Sequence, residues 1–293
     1  MPYVNEKNLT DVVLQRWQDI PDPRLKRIMQ SLIKHLHGFV RDIEPTEAEW
    51  LAAINFITGL GKKSDDKRQE VILFSDVMGV SMLVDAINHR LASGATPTTV
   101  EGPFHIPDSP VLADGGDMAK GAPGIPCFVI GKVRDLDGRP IGGAKLDLWQ
   151  TDGEGLYEAQ RDDLNGPWMR GLYRSQPDGS YIVRTVAPIG YTIPMDGPVG
   201  DLMNKTDISH MRPAHIHFCV EAPDHHRLVT HLFQRGCPYI ETDVVYGVKE
   251  PLIVDFVKKS AGTAPNGEKV DTPFYVINYD FVLQKAAKAA AAA

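Results

Sequence analysis

Between positions 212 and 218 the chain reads RPAHIHF, which brings an arginine, a ring-stiffened proline and two imidazoles into seven residues. In an extended strand, side chains two apart point to the same face, so His215 and His217 would stand side by side. That spacing suits two ligands of one metal. It also suits two histidines that are simply satisfied within a strand, and the pair alone does not choose. Two tyrosines occupy glycine-rich, turn-like stretches upstream: Tyr157 in DGEGLYEAQ and Tyr191 in APIGYTIP. Tyrosine near a turn commonly half-buries its ring and bonds its hydroxyl to backbone. Of the ten histidines, His35 and His37 on a helical stretch and His225 with His226 in a loop have no such company.

The elements that must carry these residues differ between the two ends of the chain. Apolar residues recur at Leu25, Ile28, Met29, Leu32, Ile33, Leu36, Phe39 and Val40, the spacing of a helix with one buried stripe. A second helix is expected after Pro45, where Thr46 and Glu49 form a capping box and Trp50, Ile54 and Ile57 supply the inward face. A third is expected from near Lys67 through Val71, Phe74 and Met78, with more helix around Leu83 to Leu91. From Ser93 onward Gly and Pro become frequent and short β-branched runs appear: CFVIGKV, AKLDLWQ, YIVRTV, HIHFCV and PLIVDFV. DLDGRP and SQPDGS carry the Asp-Gly signal of tight turns between antiparallel strands. The expectation is a mixed fold: a helical domain over 1–98, then a mainly antiparallel β-sandwich catalytic domain over 99–293. The tail QKAAKAAAAA is low-complexity and helix-prone with little to bury, so it is expected to fray.

Whole-chain numbers remove several classes. At 293 residues and 43% hydrophobic content the chain fills a sizeable core. Lys+Arg of 31 against Asp+Glu of 38 leaves a formal charge of −7, with no basic surplus for a nucleic acid backbone. No apolar run reaches membrane-spanning length and the start lacks a signal-peptide pattern, so the expected location is the cytoplasm. Cys127, Cys219 and Cys237 are odd in number and widely spaced, which argues for reduced thiols over disulfides or a four-cysteine zinc site.

GLY at 155–157, IGYTIPMDGPVG at 189–200 and RPAHIHF together resemble the motifs of the intradiol ring-cleaving dioxygenases, and the resemblance covers most of the chain. It implies four ligands, Tyr157, Tyr191, His215 and His217, on one Fe(III) per chain. The chemistry agrees, because phenol ionises only near pH ~10 and a strongly Lewis-acidic centre makes phenolate a ligand at neutral pH. Two tyrosines with two histidines would be an odd zinc set. The resemblance further implies cleavage of a 1,2-dihydroxybenzene by O2 to a cis,cis-muconate without an external reductant. Tyr191 would act as the base, and Arg212 would set a permanent cation near charge developing on the ring.

By the same resemblance Leu73, Asp76, Val100, Gly102, Pro103, Phe104, Ile193, Pro194 and Val245 line the pocket. An acid aimed at plain catechol would be left unpaired, whereas an extra ring hydroxyl would satisfy Asp76. Hydroxyquinol (benzene-1,2,4-triol) is therefore expected ahead of catechol or a substituted catechol. Two positions depart from the family pattern: Glu101 replaces an apolar residue before GPF, and His231 replaces glutamine. They would recognise a polar substituent or pair with each other across the pocket. Relatives of this kind dimerise through their helical domains around a channel that can hold lipid, which implies a homodimer here. Outside this class stand a β-sandwich carrier without metal, and a hydrolase or isomerase with a histidine base or zinc. No nucleophile elbow or HExxH pattern supports the latter.

Overall fold

The computed structural model describes residues 3–65, 68–161, 163–164 and 166–286. Two compact units divide the chain, 1–58 and 59–293. The first holds α1 (Leu9–Arg16), α2 (Pro23–Ile43) and most of α3 (Glu47–Lys63). α2 starts where its stripe predicts: the Asp22 carboxylate accepts from the Arg24 and Leu25 amides at 2.8 and 3.3 Å, and Pro23 occupies the first turn, where its missing N–H costs nothing. α3 opens on the expected box, with the Thr46 amide donating to Glu49 Oε2 at 2.8 Å and the Glu49 amide donating to Thr46 Oγ1 at 3.2 Å. The stripe itself differs from expectation. Only Ile33 is buried in α2, while Leu25 is 45% and Phe39 58% exposed, with Ile28, Leu32, Leu36 and Val40 similarly open.

The second unit begins with α4 (Glu70–Val77) and α5 (Val80–Asn88); the expected helix start at Lys67 lies outside the described residues. The strands follow as β1 (Pro126–Asp135), β2 (Lys145–Trp149), β3 (Arg170–Arg174), β4 (Ser180–Val186) and β5 (Tyr191–Thr192). After α6 (Pro198–Met203) come β6 (Met211–Arg212), β7 (His215–Glu221), β8 (Leu228–Gln234), β9 (Ile253–Val254) and β10 (Val257–Lys259). β11 (Gly262–Thr263), β12 (Lys269–Val270), β13 (Phe274–Asn278) and β14 (Phe281–Leu283) complete the set. The tail from 287 on, where fraying was expected, lies outside the described residues.

Two sheets form a sandwich. One runs β3-β2-β7-β8-β9; the other has β1 at its centre, flanked by β4 on one side and by β13 and β14 on the other. Most pairings are antiparallel, but β1 with β13 and β14, and β8 with β9, are parallel. Leu146 and Leu148 of β2, Ile216, Phe218 and Val220 of β7, and Leu228 and Leu232 of β8 face Cys127, Val129, Val183, Ile277 and Phe281 in one core. The period of two then sends His215, His217 and Cys219 to the opposite face of the sheet. Alternation along β7 thus keeps both imidazoles off the core face.

DLDGRP and SQPDGS do turn sharply, with Gly138 at φ 79° and Gly179 at φ 80°. They do not join paired neighbours, however: β1 and β2, like β3 and β4, belong to different sheets. A turn sequence sets local curvature, and which sheet receives the next strand is decided by long-range burial. PLIVDFV likewise splits into a 3₁₀ turn, β9 and β10, its two strands going to different sheets. Among the described residues, no helix is long and apolar enough to cross a membrane.

Candidate functional site

Four side chains meet on the outer face of the β2-β7-β8 sheet. His215 and His217 extend from β7, and their Nε2 atoms lie 3.1 Å apart. Tyr157 arrives from the loop after β2. There Gly155 turns at φ 86°, where any Cβ would also press on Tyr191 Cβ at 3.2 Å, and the Asp152 carboxylate accepts from the amides of Glu154 and Leu156. Tyr191 comes from β5, directly opposite Arg212 of β6 in the ladder. The Tyr157 hydroxyl is 2.8 Å from His217 Nε2, 3.1 Å from the Tyr191 hydroxyl and 3.4 Å from His215 Nε2. All four side chains are buried.

These spacings are those of ligands around one centre. Donors about 2.0–2.1 Å from a tetrahedral ion lie about 3.3 Å from one another. Electrostatics points the same way. Burial first, and then the neighbouring tyrosine, pushes the Tyr157 phenol well above its ordinary range, and burial also raises Tyr191 despite the opposing charge of Arg212. Burial, with Arg212 beside His215 and with His231 and His215 beside His217, holds both imidazoles well below the usual range and so neutral. Two buried phenols and two neutral lone pairs, with no protein carboxylate or thiolate among them, make a set of donors suited to a Lewis-acidic metal ion. His215 donates Nδ1–H to the Pro213 carbonyl at 2.7 Å, which leaves Nε2 as the lone pair. Among the described residues the one close group of histidines, cysteines or acids able to hold an ion is His215, His217 and His231.

Arg212 is buried against this cluster. Its Nε donates to Asp243 Oδ1 at 3.0 Å and its Nη1 lies 3.2 Å from His215 Nε2. Burial works against its charge, but Asp243 and then the two tyrosines overcome that and hold it firmly ionised. No motif marked Asp243, 31 residues downstream; only the folded contact identifies it.

The pocket residues fall into two cavities within the second unit. Asp76, Val100, Glu101 and Gly102 line one of 560 Å³, together with Thr99, Asp85 and Arg227. Phe104, Ile193 and Pro194 line another of 430 Å³. A lining residue of each neighbours the donor cluster: a Cβ on Gly102 would stand 3.5 Å from His217 Cε1, and Phe104 stacks on Tyr157 with ring centroids 4.5 Å apart. Leu73 and Val245 are buried, Pro103 is partly exposed, and none of the three lines either cavity. Within the first cavity the two buried acids are held differently. Asp85 accepts from Thr98 Oγ1 at 3.0 Å and Lys249 Nζ at 3.2 Å, and contacts His89 Nδ1 at 2.8 Å. Asp76 Oδ1 is buried with no hydrogen-bond partner among the described residues.

Glu101 and His231 do not pair with each other. Glu101 accepts from Arg227 Nη2 at 2.8 Å and lies 3.3 Å from His105 Nδ1. His231 Nδ1 shares a hydrogen bond with Thr99 Oγ1, and its ring centroid is 4.1 Å from that of His217, its ladder partner on β7. Register explains this, because β8 delivers His231 beside His217 whatever Glu101 does.

Two family profiles match the chain, one described as Dioxygenase over residues 100–285 and one as Catechol dioxygenase N terminus over residues 22–96. The 6-chlorohydroxyquinol 1,2-dioxygenase of Cupriavidus pinatubonensis is 44% identical over 97% of this chain and 99% of its own length. The hydroxyquinol 1,2-dioxygenase of Nocardioides simplex is 43% identical over 96% of each chain. Among solved structures, the hydroxyquinol 1,2-dioxygenase of Pseudomonas putida is similar at a TM-score of 0.87 and 44% identity, covering 96% of this chain and 99% of that one. Family and geometry together indicate a metal site on this face of the sheet.

Proposed function

This chain belongs to the intradiol ring-cleavage dioxygenases, and from that premise we propose that it opens hydroxyquinol between its two adjacent hydroxyl-bearing carbons. The product is 3-hydroxy-cis,cis-muconate, tautomeric with maleylacetate; both atoms of O2 enter it, so no reductant is consumed. The observation that carries the reaction class is the convergence of Tyr157, Tyr191, His215 and His217 on one point. We assign these four as ligands of Fe(III), one per chain. When bound, Fe(III) supplies the Lewis acidity that ionises phenols and substrate hydroxyls and withdraws electron density from the ring.

The chain's own residues do the rest. Tyr191, once ionised, takes up a substrate hydroxyl proton at its Oη; the cation of Arg212 across the β5-β6 ladder favours that ionised form beforehand. Arg212, fixed by Asp243, holds the negative charge that develops on the substrate. Phe104, Ile193, Pro194, Val100 and Gly102 give the ring apolar surfaces and exclude water, and we assign Leu73, Pro103 and Val245 to the same apolar surroundings. His231 and Glu101 add polar character at the wall and the mouth. Anaerobic titration of iron-loaded protein with hydroxyquinol and then catechol, followed by O2, tests the whole reading. A shifted charge-transfer band and a ring-opened muconate are expected; a protein that stays colourless after iron loading overturns it.

Choice of the triol rests on Asp76. Asp76 lines the cavity and its Oδ1 is buried without a hydrogen-bond partner among the described residues, a deficit that a third ring hydroxyl would satisfy. Burial pushes the Asp76 carboxyl up to about 6, with a hydrogen bond from Ser81 and the charge of Arg212 opposing. The ionised carboxylate is the stronger acceptor, so preference for the triol should strengthen as pH rises through about 6. Stability runs the other way. The folded-state value lies above the unfolded one of 3.8, so the folded chain binds the extra proton and stability is lost as pH rises through about 6. A rise of that size is worth roughly 3 kcal/mol. Asp76→Asn should therefore flatten the stability profile between about pH 4 and 6 and move selectivity toward catechol by ~10-fold or more, the scale of one lost hydrogen bond to a charged group. Unchanged selectivity in competition assays would return Asp76 to a purely structural role.

We further assign residues 1–98 to dimerisation and pocket closure and 99–293 to catalysis. The open apolar stripe of α2 supports a homodimer, because a soluble chain seldom leaves so much contiguous apolar surface to water. The same face would hold any lipid tail. Light scattering at micromolar concentration should give twice the mass of 32.3 kDa, and a monomer there defeats the assignment. Free cysteines, two of them buried, fit a reducing compartment and support the cytoplasm.

A further inference from the structure

A metal-bound imidazole ordinarily donates its second N–H to a carbonyl, carboxylate or water, which fixes the ring plane and the tautomer. His215 follows this rule through Pro213. His217 does not: its Nδ1 is buried without a hydrogen-bond partner among the described residues. Something else must aim its Nε2 at the point shared with Tyr157.

Packing does so. The indole of Trp149 stacks on the His217 ring with centroids 4.7 Å apart and 19° between planes. His231 lies at 4.1 Å and 55°, and Gly102 borders the Cε1 edge, where an added Cβ would stand 3.5 Å away. Trp149, His217 and His231 are ladder partners across β2, β7 and β8, so the stack is built by register. Behind Trp149, His105 packs edge-on at 4.5 Å and 62°. His105 is itself held at both ring nitrogens, 3.3 Å from Glu101 Oε1 and 3.2 Å from Asp147 Oδ2.

We propose that Trp149 is the positioning residue for His217, substituting ring stacking for the missing Nδ1 hydrogen bond, with His105 as the brace that keeps the indole in place. This rests on His217 being a metal ligand. Trp149 touches neither substrate nor O2 in this scheme; it acts by holding one ring in one plane. A stack is non-directional along the ring normal and supplies no negative charge, so His217 is the ligand whose hold on the metal depends most on shape. His105 also ties the pocket segment 101–105 to β2, so the orientation of this ligand and the position of the pocket wall are mechanically linked.

The test uses iron-loaded protein, a strong chelator, and the visible charge-transfer band, with thermal unfolding of the metal-free protein followed in parallel. Trp149→Leu should release iron about 10–100-fold faster, the cost typical of losing a ligand's orienting partner, and should shift the band. Trp149→Phe keeps a stacking face and should stay within a few-fold of wild type. His105→Ala, a change at a partly exposed site, should speed release several-fold and decides the matter if Trp149→Leu does not fold. Wild-type release rates in both Trp149→Leu and His105→Ala, or equal losses for Trp149→Leu and Trp149→Phe that track metal-free stability alone, overturn the proposal. His217→Ala separates the premise: if it retains iron, the ligand assignment has failed; if it loses iron while Trp149→Leu keeps it, only the positioning role has failed.

Discussion

Tyr157→Phe should give a folded, colourless protein that retains less than about a tenth of an iron per chain and cleaves no ring above background. The oxygen removed lies within 3.4 Å of Tyr191, His215 and His217, so one substitution deletes the atom at the centre of the cluster. Loss of a mere outer partner of a ligand costs up to ~100-fold in affinity or activity, and loss of the ligand itself must exceed that. The fold should survive, because the ring keeps its stack on Phe104 and a buried hydroxyl that needs partners is gone. Metal analysis, the visible spectrum and thermal unfolding of the same sample distinguish loss of metal from loss of structure. Full iron content and undiminished colour would remove Tyr157 from the ligand set.

Arg212→Ala should do the reverse, keeping iron and colour while turnover falls by ~10²–10³, the usual scale for removing one preorganised charge-stabilising group. The guanidinium contacts the cluster at His215 and Tyr191 and takes its fixed position from Asp243. Deleting it leaves Asp243 buried without its cation, so about 3–5 kcal/mol of stability should go with it. The amides of Val245 and Gly247 still serve Asp243, which limits the damage to the local loop. Arg212→Lys keeps charge without the two-pronged geometry and should fall between wild type and Ala. Turnover within a few-fold of wild type for Arg212→Ala, measured with iron content matched, would make the pair with Asp243 a structural strut.

Several parts of this molecule were readable because they depend on neighbours in the chain. The alternation in HIHFCV puts both imidazoles on one face and Ile216, Phe218 and Val220 on the other with no knowledge of the partner sheet. The helix starts at Asp22 and Thr46 are likewise local, since caps satisfy amides two or three residues away. The motif resemblance brought Tyr157 and Tyr191 to those imidazoles before any distance was known. Helix α1 and strands β3, β8, β13 and β14 escaped notice, being short or lacking turn signals strong enough to bound them.

The amino-acid sequence by itself therefore determined the period of α2, α3 and β7, the face that His215 and His217 share, and the chemical character of the donor set. Tertiary structure alone decided the rest: that Asp243 pairs with Arg212, that Trp149, His217 and His231 form one stacked row, that Glu101 turns to Arg227 and His105, and that both Asp-Gly turns pass the chain from one sheet to the other. The reason is range. Hydrogen bonds and rotamer preferences within a few residues set what a segment can become, whereas register between strands distant in the chain is set by how the whole apolar core closes, and no single segment carries that information.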